Sequence, residues 1–511
     1  MRVPRVYAIH ERNQKRYREA IEPRITSSVY ALSFTHHMNY SHLLTTHPIL
    51  QTIGNVADSL RLETCVVGGF VRDLLLERSS SDIDIVCVGS GMKLAQAVAE
   101  KLGPDVTVQL FNTYGTAMLH WQGQDIEFVG ARQESYSRDS RNPDVVPGTL
   151  LDDQKRRDFT INALAIRLNE ATWGELVDAF NGLEDLRNGI LKTPLAPEIT
   201  FSDDPLRMMR AIRFATQLQF TIDEQTLAAI TQVAERMRII TQERITEELN
   251  KIILAPIPST GFKLLLKASL LELIFPLMVA LQGKESRDGH SHKNNFYHTL
   301  QVLDNVAQVS SNLWLRWAAI LHDIAKPLSK RFDPQTGFSF HGHEFLGAKM
   351  VPKIFKQFKL PLQQQMSYVQ KLVRLHSRPI VLAQDEVTDA AVRRLIYDVG
   401  DELPDLMTLC RADITSHNPV KIKQYLANFD KVEAKVEEVE QRDQVRNLQP
   451  VITGEIIMQT FQIPPSKVIG EIKAAIKEAI LEGDIKNEYE PAFAYMLQIA
   501  QAHGLTPVAK K

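Results

Sequence analysis

Hydrophobic and polar positions follow two different textures along the chain. From about Cys65 to Phe180 short β-rich runs recur, CVV, IDIVCV, VTVQLF, TAMLHW, IEFV and ELVDAF, separated by Gly, Asn and Asp, with one helical stretch over 92–101. Short apolar runs bounded by turn residues predict strands, so this segment reads as α/β. From Asp204 onward apolar residues return at three- and four-residue spacing in PLRMMRAIRFATQL, EQTLAAITQVAERM and ERITEELNKIIL, and the pattern continues almost to the end. That spacing predicts amphipathic helices, and the remainder is expected to be all-helical. RFDPQTGFSFHGHE is the longest non-periodic interruption, and the charged run VEAKVEEVEQRDQVRNLQP marks a boundary near Pro450. The most apolar window, residues 264–281, is broken by Lys267, Glu272 and Pro276, which predicts a buried helix pair rather than a membrane span.

Composition narrows the class. A chain of 511 residues with 44% apolar and 23% charged content fits a soluble protein of several domains. Lys+Arg 59 against Asp+Glu 61 gives a net charge of -2, so any nucleic-acid surface must be local. Cys65, Cys87 and Cys410 lie far apart and form no C-x-x-C, which argues against a disulfide framework or a cysteine-rich zinc site and fits a reducing cytoplasm. Residues 1–37 mix arginines with Glu11, Glu19 and Glu22 and carry no apolar core, which excludes a secretory signal. They read as a disordered extension, or as a start assigned upstream of Met38.

The candidate chemistry begins in SSSDIDIV. On a strand, Asp82 and Asp84 face one side while Ile83 and Ile85 face the other. Two carboxylates this close repel unless a cation sits between them, and Mg²⁺ held by carboxylates and phosphates is the common solution. Upstream, Gly68 and Gly69 lie between a strand and the helical run FVRDLLLE, where backbone N–H groups can approach a polyphosphate. Downstream, Glu127 in DIEFV is a possible third carboxylate. A second constellation is His298, His322–Asp323, His343, His376 and Asp413, imidazoles and carboxylates that Mn²⁺, Ni²⁺, Fe²⁺ or Mg²⁺ would share. Either His341 or His343 could belong to it; His343 is favoured because it begins a helix.

GGFVRDLLL, SDIDIV, IEFVGAR, RRDFTINALA and DDPLRMMRAIRFA, in this order, resemble the class II tRNA nucleotidyltransferase and bacterial poly(A) polymerase family. YHTLQVLDNV and LRWAAILHDIAKP resemble the HD metal-dependent phosphohydrolases. The resemblance implies a polymerase-β-like α/β head with a mixed sheet, then an all-α neck, an HD-type helical body and a helical tail. The expected boundaries are an extension over 1–45, head 46–195, neck 196–284, HD domain 285–445 and tail 446–511. It also implies Asp82, Asp84 and Glu127 as catalytic carboxylates, and Gly68, Gly69 and Arg72 as triphosphate ligands. Arg157, Asp158 and Asn162 would meet phosphates and ribose. Asp203, Asp204, Arg207 and Arg210 complete the nucleotide site, Asp204 and Arg207 being expected three apart on one helix face. Asp203 stands where the family has Glu.

The implied activity is addition of CCA to tRNA from CTP and ATP by a monomer or homodimer that touches no membrane. Alternatives are a poly(A) polymerase, an A-adding or CC-adding specialist whose choice rests on a loop near 136–151, and chiefly an HD hydrolase. FNTYGTA replaces the GRRFR-like signature of the poly(A) branch, and no arginine-rich tail follows. In the tail, Pro464, Pro465 and Ser466 are expected to start a helix that could take an RNA phosphate.

Overall fold

The computed structural model describes residues 38–508 except 81, 113–114, 136–143, 284–285, 289, 292–293, 384–386, 416–417 and 444. The amino-terminal stretch 1–37 and the first half of the loop expected to choose the nucleotide, 136–143, thus lie outside the described residues.

The head is built on a seven-stranded mixed sheet. Its strands, with a separate hairpin, are β1 (Thr64–Val67), β2 (Asp82–Cys87), β3 (Val108–Phe111), β4 (Thr116–Trp121), β5 (Gln124–Gly130), the hairpin β6 (Arg132–Ser135) and β7 (Asp144–Pro147), then β8 (Ala165–Arg167) and β9 (Leu176–Val177). The sheet order is β3-β4-β5-β2-β1-β8-β9, with only β2 and β5 parallel. Alternation in β2 follows the pleat: Ile83 and Ile85 are fully buried, whereas Asp82 is exposed and Asp84 half-buried. The helices Gly69–Leu75 and Gly91–Leu102 pack on the sheet. β8 begins at the last residue of the RRDFTINALA motif, where the run pattern had predicted no strand.

Several expectations need correcting. Asn39 bridges Glu175, and Leu44 is buried in the head core, so residues 39–45 belong to the head rather than to an extension. The part beyond Asp204 is not purely helical: Ile190–Leu191 pairs in parallel with Thr221–Ile222, and Arg331–Asp333 pairs with Gly337–Ser339. The latter hairpin occupies RFDPQTGFS, whose Asp333 side chain accepts from Gln335 N and Thr336 N to close the turn. The 264–281 window forms three short helical pieces, because Ser269 adopts a left-handed conformation and Pro276 starts the last piece. The charged run carries the end of one helix, Pro419–Asp443, and the next helix starts at Gly454. Among the described residues no helix is long and apolar enough to cross a membrane.

One apolar core runs from Leu44 in the head to Ala500 in the tail. Where the neck meets the helical body, Phe275 packs on Trp317 and Phe358. Beside them the buried Arg316 guanidinium donates to the carbonyls of Ile253 and Ala255 from the neck and of Ala307 and Ser310 from the body, at 2.8–3.2 Å. Buried charge is tolerated there because every donor direction is used. The tail contains the helix Lys467–Glu482, preceded by Pro464–Ser466, and Ser466 supplies no side-chain cap.

Candidate active site

Sheet order brings the head carboxylates together. Asp84 on β2 stands opposite Glu127 on β5, and Asp82 opposite Asp125, so the site straddles the parallel pair of the seven-stranded sheet. Burial raises the Asp84 carboxyl, opposed by the Arg157 charge and reinforced by Asp82; burial and the Asp84 charge likewise raise Glu127. A strand-to-helix turn borders these acids. Gly68 has φ +77, and a Cβ there would sit 2.8 Å from Arg157 Nη1 and 3.0 Å from Asp84 Oδ2. Only glycine leaves that corner open.

The motif after β7 is a charged scaffold. Thr149 caps the Leu150–Lys155 helix in a reciprocal box with Asp152. That helix holds Asp153 fully buried, bonded to Arg156 and, at 3.1 Å, to Arg157 Nε. Burial alone would raise Asp153; the Arg157 and Arg156 charges outweigh it and hold the carboxyl below its ordinary value. Arg156 also meets Glu134 at 3.3 Å. Composition and resemblance had not singled out Asp153 or Glu134. Their cue was Asp153 standing three and four residues before the arginine pair, the spacing of a helical ion pair.

Asp158 and Asn162 are buried and answer each other: Asn162 Nδ2 donates to Asp158 Oδ1 at 3.0 Å, and Arg72 Nη1 donates to Asn162 Oδ1 at 2.8 Å. Arg210 Nε donates to Asp158 Oδ2 at 2.7 Å. Burial opposes ionisation of Asp158, but Arg210 and Asn162 bring its carboxyl down to about 2. Arg72, Arg210 and Arg213 all lie over the Phe214 ring, 4.9, 5.4 and 3.9 Å from its centroid. The pair expected to touch ribose is thus occupied with joining Arg72 of the head to Arg210 of the neck. Gly69 lies against Arg72.

Asp204 and Arg207 do not share a helix face. The helix Pro197–Asp203 ends before Asp204, whose backbone is extended (φ -133, ψ 99), and the next helix runs Leu206–Leu218. Pro205 excludes α conformation at the preceding residue. Asp204 instead accepts from Leu206 N at 3.1 Å, and Arg207 donates to the Arg156 carbonyl at 2.7 Å. Asp203, raised by burial and lowered in part by Arg207, stands at the same helix break.

The second constellation converges fully. His298 Nε2 lies 2.8 Å from Asp413 Oδ1, His322 Nε2 3.2 Å from Asp323 Oδ2, and His343 Nε2 3.3 Å from both Asp323 Oδ1 and His376 Nε2. Each imidazole is held by its other nitrogen: His322 against Ala319 O, His343 against Phe340 O, His376 against Val373 O, and His298 against Thr415 Oγ1. Such anchoring is how ligating histidines are oriented. His298, His322 and Asp413 form one set with ligand atoms within 4.8 Å, and Asp323, His343 and His376 a second. The buried His322 Nε2 faces the Asp323 and Asp413 oxygens at 3.2 and 3.8 Å but makes no well-aligned hydrogen bond among the described residues. Burial lowers His376 to about 4, leaving a neutral donor, whereas His298 and His343 are raised because their carboxylate neighbours outweigh burial. Lys326, absent from the expected set, meets Asp323 at 2.6 Å. His341 is exposed, while His343 reaches the cluster.

Known proteins resemble the chain in the same three blocks. The poly A polymerase head domain matches residues 64–192, the probable RNA and SrmB-binding site of polymerase A matches 219–281, and the HD domain matches 295–417. The A-adding tRNA nucleotidyltransferase of Deinococcus radiodurans is 32% identical over 358 residues, 68% of this chain and 78% of that protein. The CCA-adding enzyme of Enterococcus faecalis is 28% identical over 436 residues, 85% of this chain and 91% of that one. In fold, the chain is similar to the crystal structure of Bacillus stearothermophilus CCA-adding enzyme in complex with CTP, with TM-score 0.61 and 20% identity over 91% of this chain and 99% of that one.

Proposed function

The chain belongs to the tRNA nucleotidyltransferase family, and from that membership we propose that it completes the 3′ CCA end of tRNA without a template, taking nucleotides from CTP and ATP. The observation that carries this reading is the in-register pairing of Asp84 with Glu127 beside the Gly68 turn, on which the Arg157 guanidinium also converges. Asp82, Asp84 and Glu127 offer only oxygen donors, a set that fits Mg²⁺, and the crowding of Asp84 with Glu127 favours a cation over two bare charges. Bound there, Mg²⁺ would neutralise charge on the reacting phosphates.

The chain's own residues do the positioning. The bare Gly68 corner admits a triphosphate to backbone N–H groups, with Arg157 held at its flank by Asp153. Arg72 is oriented by Asn162 and Phe214 to meet the same phosphates. Asp203, Asp204 and Arg207 gather at the helix break, where carboxylate acceptors and a guanidinium fork suit the Watson–Crick edges of C and A. A second reading, an enzyme that adds only the final A, is favoured by the Deinococcus relative. Incubating the full chain with tRNA transcripts that lack CCA, CA or A, with Mg²⁺ and each labelled nucleotide, separates the two. Extension of all three supports full CCA synthesis, A on the last alone supports the specialist, and long A tails or no incorporation sinks both.

For the helical body we propose a metal-dependent phosphohydrolase. The unsatisfied His322 Nε2 and the mixed nitrogen and oxygen donors fit a divalent transition metal held by His298, His322, Asp323, His343, His376 and Asp413. Bound metal would supply an activated water. His322→Ala with Asp323→Ala should abolish phosphate release from nucleotide and 2′,3′-cyclic substrates while leaving incorporation into tRNA intact; unchanged release refutes the assignment.

A further inference from the structure

A cavity of about 500 Å³ opens between the helices His343–Gln357, Gln364–Leu375 and Asp389–Val399, and none of the six cluster ligands lines it. It is nonetheless close to them in the chain. Phe345 and Lys349 follow His343 on one helix, and Arg374 and Leu375 immediately precede His376 on another. At 1.5 Å rise per residue, Lys349 stands about 9 Å along the helix from His343.

The lining is divided by chemistry. Phe345, Ala348 and Leu375 are the apolar part of the lining; Phe345 is 49% exposed, whereas Ala348 and Leu375 border the space from nearly buried positions. Four cations face the same space, Lys349, Lys371, Arg374 and Arg378, against one carboxylate, Asp398. Two of them are already matched, Lys371 to Glu402 at 2.7 Å and Arg378 to Asp398. Lys349 and Arg374 have no carboxylate partner among the described residues; Lys349 lies over the Phe345 ring, 4.2 Å from its centroid. Unmatched positive charge bordering an apolar wall is complementary to a ligand with a flat apolar part and an anionic part, and the volume lies in the range of small-molecule sites.

We propose that this cavity binds a nucleoside phosphate, its base against Phe345, Ala348 and Leu375 and its phosphate between Lys349 and Arg374. Free nucleotide and the terminal nucleotide of an RNA strand present the same chemistry. The site is separate from the head and from the six cluster ligands, so once His322→Ala with Asp323→Ala silences the cluster, the chain should show two classes of site, head and cavity.

Equilibrium titration of the full chain with labelled AMP, and in parallel with a labelled single-stranded RNA pentamer, distinguishes the sources. Lys349→Glu with Arg374→Glu should remove one class of site, weakening its binding by tenfold or more, roughly what losing a charge-assisted contact entails. Incorporation into tRNA should be unchanged in that variant, and Lys349→Gln with Arg374→Gln, a milder change at exposed positions, should weaken binding in the same direction. Phe345→Ala should weaken AMP but not inorganic phosphate. Binding of AMP identifies free nucleotide as the occupant; binding of the pentamer alone, with the same dependence on Lys349 and Arg374, identifies an RNA end. Unchanged binding in the charge-reversed variant, a single class of site for both probes, or phosphate binding as tightly as AMP overturns the proposal.

Discussion

At the scale of single residues, Asp158 shows how a motif position can serve function through structure. Its carboxyl, ordinarily near 3.8, is brought to about 2 because Arg210 and Asn162 outweigh the cost of burial. A depressed carboxylate stabilises the fold above its unfolded pKa, and that contribution is lost as pH falls through the folded value. The gap corresponds to about 2 kcal/mol near neutral pH. Asp158→Asn should therefore lower stability by that order in denaturant melts, with the difference from wild type shrinking below about pH 4; a difference that persists unchanged into acid would assign the loss to packing. The sequence revealed Asp158 as part of RRDFTINALA but not its partner, since Arg210 lies 52 residues away. Arg207 was legible in a different way: Pro205 sits in plain view and forbids the single helix that three-residue spacing had implied.

Elements decide how much of the head could be read in advance. Alternation of Asp and Ile in β2 follows from the pleat and was visible in six letters. Glu127 as neighbour of Asp84 was not, because β5 reaches β2 by a parallel pairing that bypasses β3 and β4, and strand order is a tertiary property. The strand-to-helix turn was readable as Gly-Gly, though the sequence did not say which glycine is indispensable. With φ +77 and two side chains within 3.0 Å of a virtual Cβ, Gly68 is that residue. Gly68→Ala should cut incorporation by at least about a hundredfold, since misplacement near 1 Å costs that much, while the chain remains folded by circular dichroism. Retained activity would show that the corner relaxes. In the helical body the ligand series was readable because each histidine sits at a helix end or on a buried face; the Lys326 contact to Asp323 was equally available as an i,i+3 pair.

Over the whole molecule the head carboxylates and the histidine cluster lie in separate blocks of the chain that share one continuous core. If the HD cluster takes a metal, binding adds to stability in proportion to the logarithm of saturation, about 2.7 kcal/mol at a hundredfold excess over Kd. Adding Mn²⁺ or Ni²⁺ to chelator-treated protein should raise its melting temperature, and His322→Ala should erase the rise; an equal rise in both proteins would place the metal elsewhere. Arg316 bears on how these ends communicate. Its five bonds tie the end of the neck helix Gln242–Ile253 to the first helices of the body through carbonyls, not through side chains that could trade partners. A guanidinium so enclosed acts as a rivet, and sliding at that joint would strand a cation in a dry seam. The HD body is accordingly a poor candidate for a detachable cassette: excised at residue 285, it would carry away Arg316 and leave the carbonyls of Ile253 and Ala255 behind.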